Sequence, residues 1–79
     1  MSNRTSVVPI KEVSTKLSDD EELVFQLALY RYAGGGSNQY YRFLRRKNGR
    51  LLAQRGQCGI PNLHLAMSLI KEMSNLDDR

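Results

Sequence analysis

One tight turn constrains this chain more than any other feature of its sequence. Asn48-Gly49 lies between two runs that can form strands, within the stretch Gln39 to Gln57. A type I′ turn needs positive φ at both central residues, which asparagine tolerates and glycine adopts freely. The sequence therefore predicts a β-hairpin in which Lys47 faces Arg50, and this first pair fixes every later one.

The two faces of the predicted hairpin are both mixed in polarity. Face one carries Tyr41, Phe43, Arg45 and Lys47 beside Arg50, Leu52, Gln54 and Gly56, and face two carries Tyr40, Arg42, Leu44 and Arg46 beside Leu51, Ala53 and Arg55. Face two has the larger aliphatic cluster because Leu44 lies opposite Ala53 and near Leu51. Face one also carries apolar side chains, Phe43 and Leu52, so the pattern leaves open which face packs on a core.

The hairpin is basic and contains no acid. Its basic residues are Arg42, Arg45, Arg46, Lys47, Arg50 and Arg55. The register places Arg42 opposite Arg55, and like charges that face each other destabilise a ladder unless water, an acid or a bound anion offsets them. Tyrosine rings near these bases can stack on nucleobases while the arginines contact phosphates. We therefore predict nucleic-acid or anion binding by these six bases together with Tyr40 and Tyr41.

Charge is unevenly distributed along the chain. The net charge is +4, and residues 23–71 hold eight bases and no acid, whereas both ends are acidic. A localised cationic surface favours phosphate-bearing partners, although a solubility surface that the chain's own acidic ends partly neutralise explains the charge as well. With 79 residues, of which 41% are apolar and 25% charged, the chain fits one small globular domain.

The segments before the hairpin are harder to interpret. A proline interrupts residues 1–17, which predicts an extended or partly mobile arm, or else a short edge strand. Residues 18–33 fit a helix through the capping-box spacing of Ser18 and Glu21. They also fit a strand through the period-two alternation of their apolar residues, and we favour a strand over 23–32.

The segment after the hairpin predicts a helix. Apolar residues recur at helical spacing over 61–75, so this helix is expected to cover one face of the sheet. The predicted fold class is therefore α+β: a small antiparallel sheet, made of the hairpin 39–57 and a third strand over 23–32, packed by the C-terminal helix. It forms a single domain over 18–76, followed by a polar tail at 77–79. The apolar surface of the helix also fits a homodimer contact.

Residues suited to catalysis or to metal binding are few. Cys58 is the only cysteine and His64 the only histidine, whereas a zinc site needs about four ligands. Gly34-Gly35-Gly36 lacks the downstream Gly-Lys-Ser/Thr of a phosphate-binding loop. We therefore predict no enzyme activity, metal or cofactor. The chain also lacks the ~20 apolar residues that span a bilayer and the apolar core of a signal peptide, so the cytoplasm is the expected location and no membrane partner is expected.

Several short motifs resemble those of a known family. They are Phe25-Gln26-Leu27, Leu44, Asn48-Gly49, Leu52-Ala53 and Ile70-Lys71. In order and approximate spacing they are similar to the small YegP-like domains, a family of uncharacterised bacterial proteins. The resemblance implies a three-stranded sheet under one helix and carries no catalytic residues. Arg42 stands where that family places an aromatic residue and Arg46 where it places a small one, so a face that packs in the family is charged here.

Two functions follow from these patterns. The leading hypothesis is a small non-enzymatic basic protein that binds DNA or RNA through the arginine-rich hairpin, by contacts that are largely independent of sequence and sensitive to salt. The alternative is a protein-interaction module, a small regulator or inhibitor that docks the acidic surface of a partner by its sheet edge or its helix.

Overall fold

The described part of the chain folds into an open sheet of four strands with one helix against it. A computed structural model describes residues 5–52 and 59–77. The elements are β1 (Ser6–Lys16), β2 (Glu21–Arg31), β3 (Ser37–Lys47), β4 (Arg50–Leu52) and α1 (Leu63–Asp77). The strands are antiparallel and lie in the order β1-β2-β3-β4. The predicted α+β class is therefore confirmed, with one more strand than the sequence led us to expect.

The hairpin at Asn48-Gly49 forms as predicted. Asn48 has a φ of 52° and Gly49 a φ of 77°, so both central residues adopt the positive φ that a type I′ turn needs. Lys47 pairs with Arg50, and the ladder continues through the next two pairs to Leu52. The predicted pair of Arg42 with Arg55 lies outside the described residues, as does Ala53.

A pair of glycine substitutions tests this turn. Gly49→Ala should lower the free energy of unfolding by about 1–2 kcal/mol, because an L-residue is strained at positive φ. No atom lies within 4 Å of the position that a new Cβ would take at either Gly49 or Gly34, but Gly34 does not have a positive φ. Gly34→Ala should therefore be neutral or slightly stabilising. Urea unfolding of both variants checks this, and equal effects would contradict the assigned turn.

The segment before the hairpin, which fitted both a helix and a strand, forms a strand. β2 runs from Glu21 to Arg31 in the middle of the sheet, and residues 23–28 are all buried. Ser18, whose capping-box spacing to Glu21 fitted a helix start, instead lies in the turn between β1 and β2, where its hydroxyl donates to Asp20 Oδ1 at 2.9 Å. The amides of Leu17 and Ser18 both donate to the carbonyl of Glu21, at 2.8 and 3.1 Å. The favoured strand interpretation is confirmed.

The arm predicted over residues 1–17 needs a correction. Ser6–Lys16 forms an 11-residue edge strand, longer than the short one that we considered. Pro9 fits because an edge strand leaves one side of its backbone unpaired, where a missing N–H costs no ladder bond. The pairing with β2 also shifts register between Pro9 and Lys11, a local irregularity that accommodates the proline.

Helix α1 begins at a side-chain cap. Asn62 Oδ1 accepts a hydrogen bond from the amide of His64 at 2.8 Å, which satisfies one of the free N–H groups of the first turn. The helix therefore starts at Leu63, two residues later than predicted, and it continues to Asp77, which the sequence suggested as part of a polar tail.

The core lies between α1 and one face of the sheet. Val13, Leu23 and Phe25 pack there against Leu69 and Met73 of the helix, with Leu17, Phe43 and Leu65 at the margin. Phe43 belongs to face one of the hairpin, so this is the face that α1 approaches. No helix of the described residues lies on the opposite side of the sheet, which we call the helix-free face.

Candidate nucleic-acid interface

Polar and charged side chains cross three strands on the helix-free face. The antiparallel register aligns Glu12 of β1, Gln26 of β2 and Arg42 of β3 in one row. Glu22 of β2 and Arg46 of β3 form another row on the same face, because side chains two residues apart along a strand point the same way. β1 and β2 thus bring acids next to the basic strand β3.

Arg46 is neutralised within the molecule. Its guanidinium donates to Glu22 Oε1 at 2.8 Å and to Glu12 Oε2 in a second, short contact. Hydrogen bonding to Glu22 and Glu12 raises the pKa of Arg46, and the bond from Arg46 lowers the pKa of Glu12 below its ordinary value. These two carboxylates compete with any external phosphate for Arg46.

The described residues that hold Arg42 are all neutral. Gln26 Oε1 accepts hydrogen bonds from Arg42 Nε at 2.9 Å and from Nη2 at 2.6 Å, and Arg42 Nη1 donates to the Tyr30 hydroxyl at 3.3 Å. Gln26 is only 1% exposed, and its amide donates to Glu12 Oε1 at 3.0 Å. Among the described residues, no carboxylate forms an ion pair with Arg42. Arg42 is therefore fixed in position, and no described acid neutralises its charge.

A chain of three tyrosines extends from Arg42. The Tyr30 and Tyr40 rings meet edge to face at 5.3 Å, and the guanidinium carbon of Arg42 lies 5.8 Å from the centre of the Tyr30 ring. A hydrogen bond with Tyr32 raises the pKa of the Tyr40 hydroxyl. Tyr40 is 49% exposed and Tyr32 38%. We call Tyr30, Tyr32, Tyr40 and Arg42 the tyrosine–arginine cluster.

Two other predicted site residues lie on the helix side of the sheet. Arg45 donates to Glu21 Oε2 at 2.6 Å and to the carbonyl of Gly59 at 2.9 Å, so it is also paired with an acid. The Tyr41 ring stacks on Phe25 with 5.5 Å between the ring centres. The structure therefore separates Tyr41 and Arg45 from Tyr40, Arg42 and Arg46.

Two more of the predicted bases, Lys47 and Arg50, lie at the tip of the hairpin. Lys47 and Arg50 are exposed, and neither has an acid partner among the described residues. Together with Asn48 and Leu52 they line an open cleft of about 400 Å³. Arg55, the last of the predicted bases, lies outside the described residues.

The sequence pointed to the acidic ends of the chain as one source of counter-charge but did not show which acids pair with which arginines. Glu12, Glu21 and Glu22 pair with Arg45 and Arg46 but lie 24 to 34 residues away along the chain. Tyr30 and Tyr32 were also left out of the predicted site. The alternation in the segment 23–32 was the available indication, because it places Tyr30 on the same face as Gln26.

Comparisons with known proteins add no relative. No protein-family model, curated protein or solved structure matches the chain. The resemblance to YegP-like domains therefore stays a prediction. In the described part of the chain, no helix has the length and apolar character needed to cross a membrane. Within residues 5–52 and 59–77, no group of three His, Cys, Asp or Glu side chains is placed to hold a metal ion.

Proposed function

We propose that this protein binds single-stranded nucleic acid through the tyrosine–arginine cluster, as a binding protein without catalytic activity. One observation carries the proposal: the exposed Tyr40 ring meets Tyr30, Tyr30 contacts Arg42, and no described carboxylate pairs with Arg42. Rings supply stacking surface for bases and an unneutralised guanidinium attracts phosphate, which together are the two contacts that single-strand binding uses.

Arg42 is well placed for a phosphate contact. A guanidinium has five N–H groups, of which Arg42 directs Nε, Nη1 and Nη2 donors to Gln26 and Tyr30. Two N–H groups are left for phosphate oxygens. Because the buried amide of Gln26 already fixes the side chain, binding costs little additional side-chain entropy.

Stacking favours single strands over duplexes. Tyr40 and Tyr32 present rings on an open sheet face, and such rings can reach only bases that are not already stacked within a helix. Each stacked base contributes about 1–3 kcal/mol, largely independent of its identity. The expected binding therefore has little sequence preference.

The affinity should depend less steeply on salt concentration than it would if all six predicted basic residues were free to contact phosphates. Arg45 and Arg46 are paired with Glu21, Glu22 and Glu12, so they release few counterions on binding. Arg42 and the two tip residues, Lys47 and Arg50, remain as phosphate contacts. Three such contacts give a slope of log affinity against log salt of roughly −2 on single strands.

Two adjacent tyrosines provide a matched test. Tyr40 and Tyr41 are 49% and 51% exposed, but their side chains lie on opposite faces of the sheet. Tyr40→Ala should weaken binding of a fluorescein-labelled oligothymidylate about tenfold, the effect of losing roughly 1.4 kcal/mol of stacking. Tyr41→Ala should bind as the parent does. Fluorescence anisotropy at two salt concentrations measures both, with an oligouridylate and a duplex as additional ligands.

Two results would overturn the proposal. One is no binding of the parent protein to single strands at low salt. The other is equal affinity of the parent and Tyr40→Ala. Tighter binding to the duplex than to the single strand would show instead that charge, and not stacking, dominates.

The hairpin tip supports a second candidate function, the docking of an acidic protein segment. Lys47 and Arg50 lack acid partners among the described residues, and Leu52 adds an apolar surface to the same cleft. A stoichiometric protein partner that is retained after nuclease treatment and lost on Lys47→Glu with Arg50→Glu would favour this function. Retention of that partner by the double variant would exclude the tip as its docking site.

A further inference from the structure

Helix α1 covers only part of the sheet. Among the described strands, its backbone lies close to β1 and β2 and not to β3 or β4. The helix-side surface of β3 is therefore only partly covered: Tyr41 is 51% exposed and Phe43 is half-buried. A groove of about 240 Å³ runs between the helix and this strand, and Phe25, Tyr41, Ile70 and Ser74 line it.

The helix presents an apolar stripe beside that groove. Leu63, Met67 and Ile70 follow one another at intervals of four and three residues and are 76%, 66% and 47% exposed. Residues at these intervals share one side of a helix and form a ridge. Ile70 belongs to both the ridge and the groove, so the ridge and the groove form one continuous surface.

We propose that this surface is a homodimer interface, in which the ridge of each copy packs into the groove of the other. A twofold axis brings the same patch of both copies together, so each copy must offer a shape and its complement. The groove beside the ridge meets this requirement. Because the surface lies on the helix side of the sheet, the tyrosine–arginine cluster stays open in the dimer.

The charge distribution favours a second copy of this chain, and not an acidic protein, as the partner that binds the ridge and the groove. The chain has a net charge of +4, so two copies repel each other wherever their basic hairpins approach. The side chains of the ridge and the groove are all uncharged, and copies that meet here avoid that repulsion. The ridge and groove residues offer an acidic partner no cation, and its carboxylates would lose their hydration against Met67 and Ile70.

Sedimentation equilibrium of the full chain tests the proposal. We expect a shift from 9.0 kDa to twice that mass as the protein concentration rises to about 100 µM. Met67→Glu and Leu63→Glu should each weaken the association at least about tenfold, because each places a carboxylate in an apolar contact. Both positions are exposed, so the variants should retain the far-UV circular dichroism of the parent protein.

The adjacent tyrosines again supply the control. Tyr41→Ala should weaken the dimer and Tyr40→Ala should leave it unchanged, the reverse of their expected effects on nucleic-acid binding. This reversal separates failure of the dimer from failure of the proposed function. A monomer at about 100 µM would overturn the proposal. A dimer that survives Met67→Glu would also overturn it. If that dimer is lost on Ile10→Lys, the contact lies instead at the free edge of β1.

Discussion

Leu69→Ala should lower the free energy of unfolding by about 2–5 kcal/mol, the usual cost of deleting a fully buried leucine side chain. Leu69 is 1% exposed and packs among Val13, Leu23, Phe25 and Met73, so its removal leaves a cavity between the helix and the sheet. Domains of this size have only a small margin of stability. The variant should therefore unfold at much lower urea concentration than the parent, as followed by circular dichroism.

The same substitution at Leu63 is the matched control. Leu63 is in the same helix but 76% exposed, so Leu63→Ala should change the stability of the monomer by less than about 0.5 kcal/mol. Its effect should grow with protein concentration if the proposed dimer forms, whereas the effect of Leu69→Ala should not. Similar losses from both variants in dilute solution would contradict the placement of α1 on the sheet.

The fold was predictable where the responsible chemistry is local. Asn48-Gly49 specifies its own turn, and the turn then fixes that Lys47 faces Arg50. Residues 6–16 were harder to predict as a strand, because an edge strand is ordered by pairing with its neighbouring strand. Val13 is buried in the same cluster as Phe25 and Met73, and the sequence of residues 1–17 does not reveal those partners.

The site was predictable in part, for a similar reason. The absence of acids in the hairpin suggested that water, an external anion or the acidic chain ends must offset its charge. Pairing of β3 with β2 places Glu22 beside Arg46 and leaves Arg42 beside Gln26. Which arginine is neutralised therefore depends on the register between β2 and β3. The hairpin sequence alone does not specify that register.

Arg46→Met should lower the free energy of unfolding near neutral pH by about 1–2 kcal/mol. The Arg46 side chain is 23% exposed, so its hydrogen bonds to Glu12 and Glu22 are worth more than those of a fully exposed pair and less than those of a buried one. Without Arg46, the two carboxylates lose their common partner. Arg50→Met is the matched control, because Arg50 is exposed and has no described acid partner.

The loss should depend on pH in a defined direction. The bond from Arg46 lowers the pKa of Glu12 in the folded state, so the unfolded chain binds more protons in acid and stability rises with pH there. This contribution is present above the pKa of an unfolded glutamate, about 4.3, and is lost as the pH falls through the lower pKa of the folded state. The difference between Arg46→Met and the parent should therefore shrink as urea unfolding is repeated from about pH 7 towards about pH 3. A constant difference across that range would show that Arg46 stabilises the sheet by packing and not through its bond to Glu12.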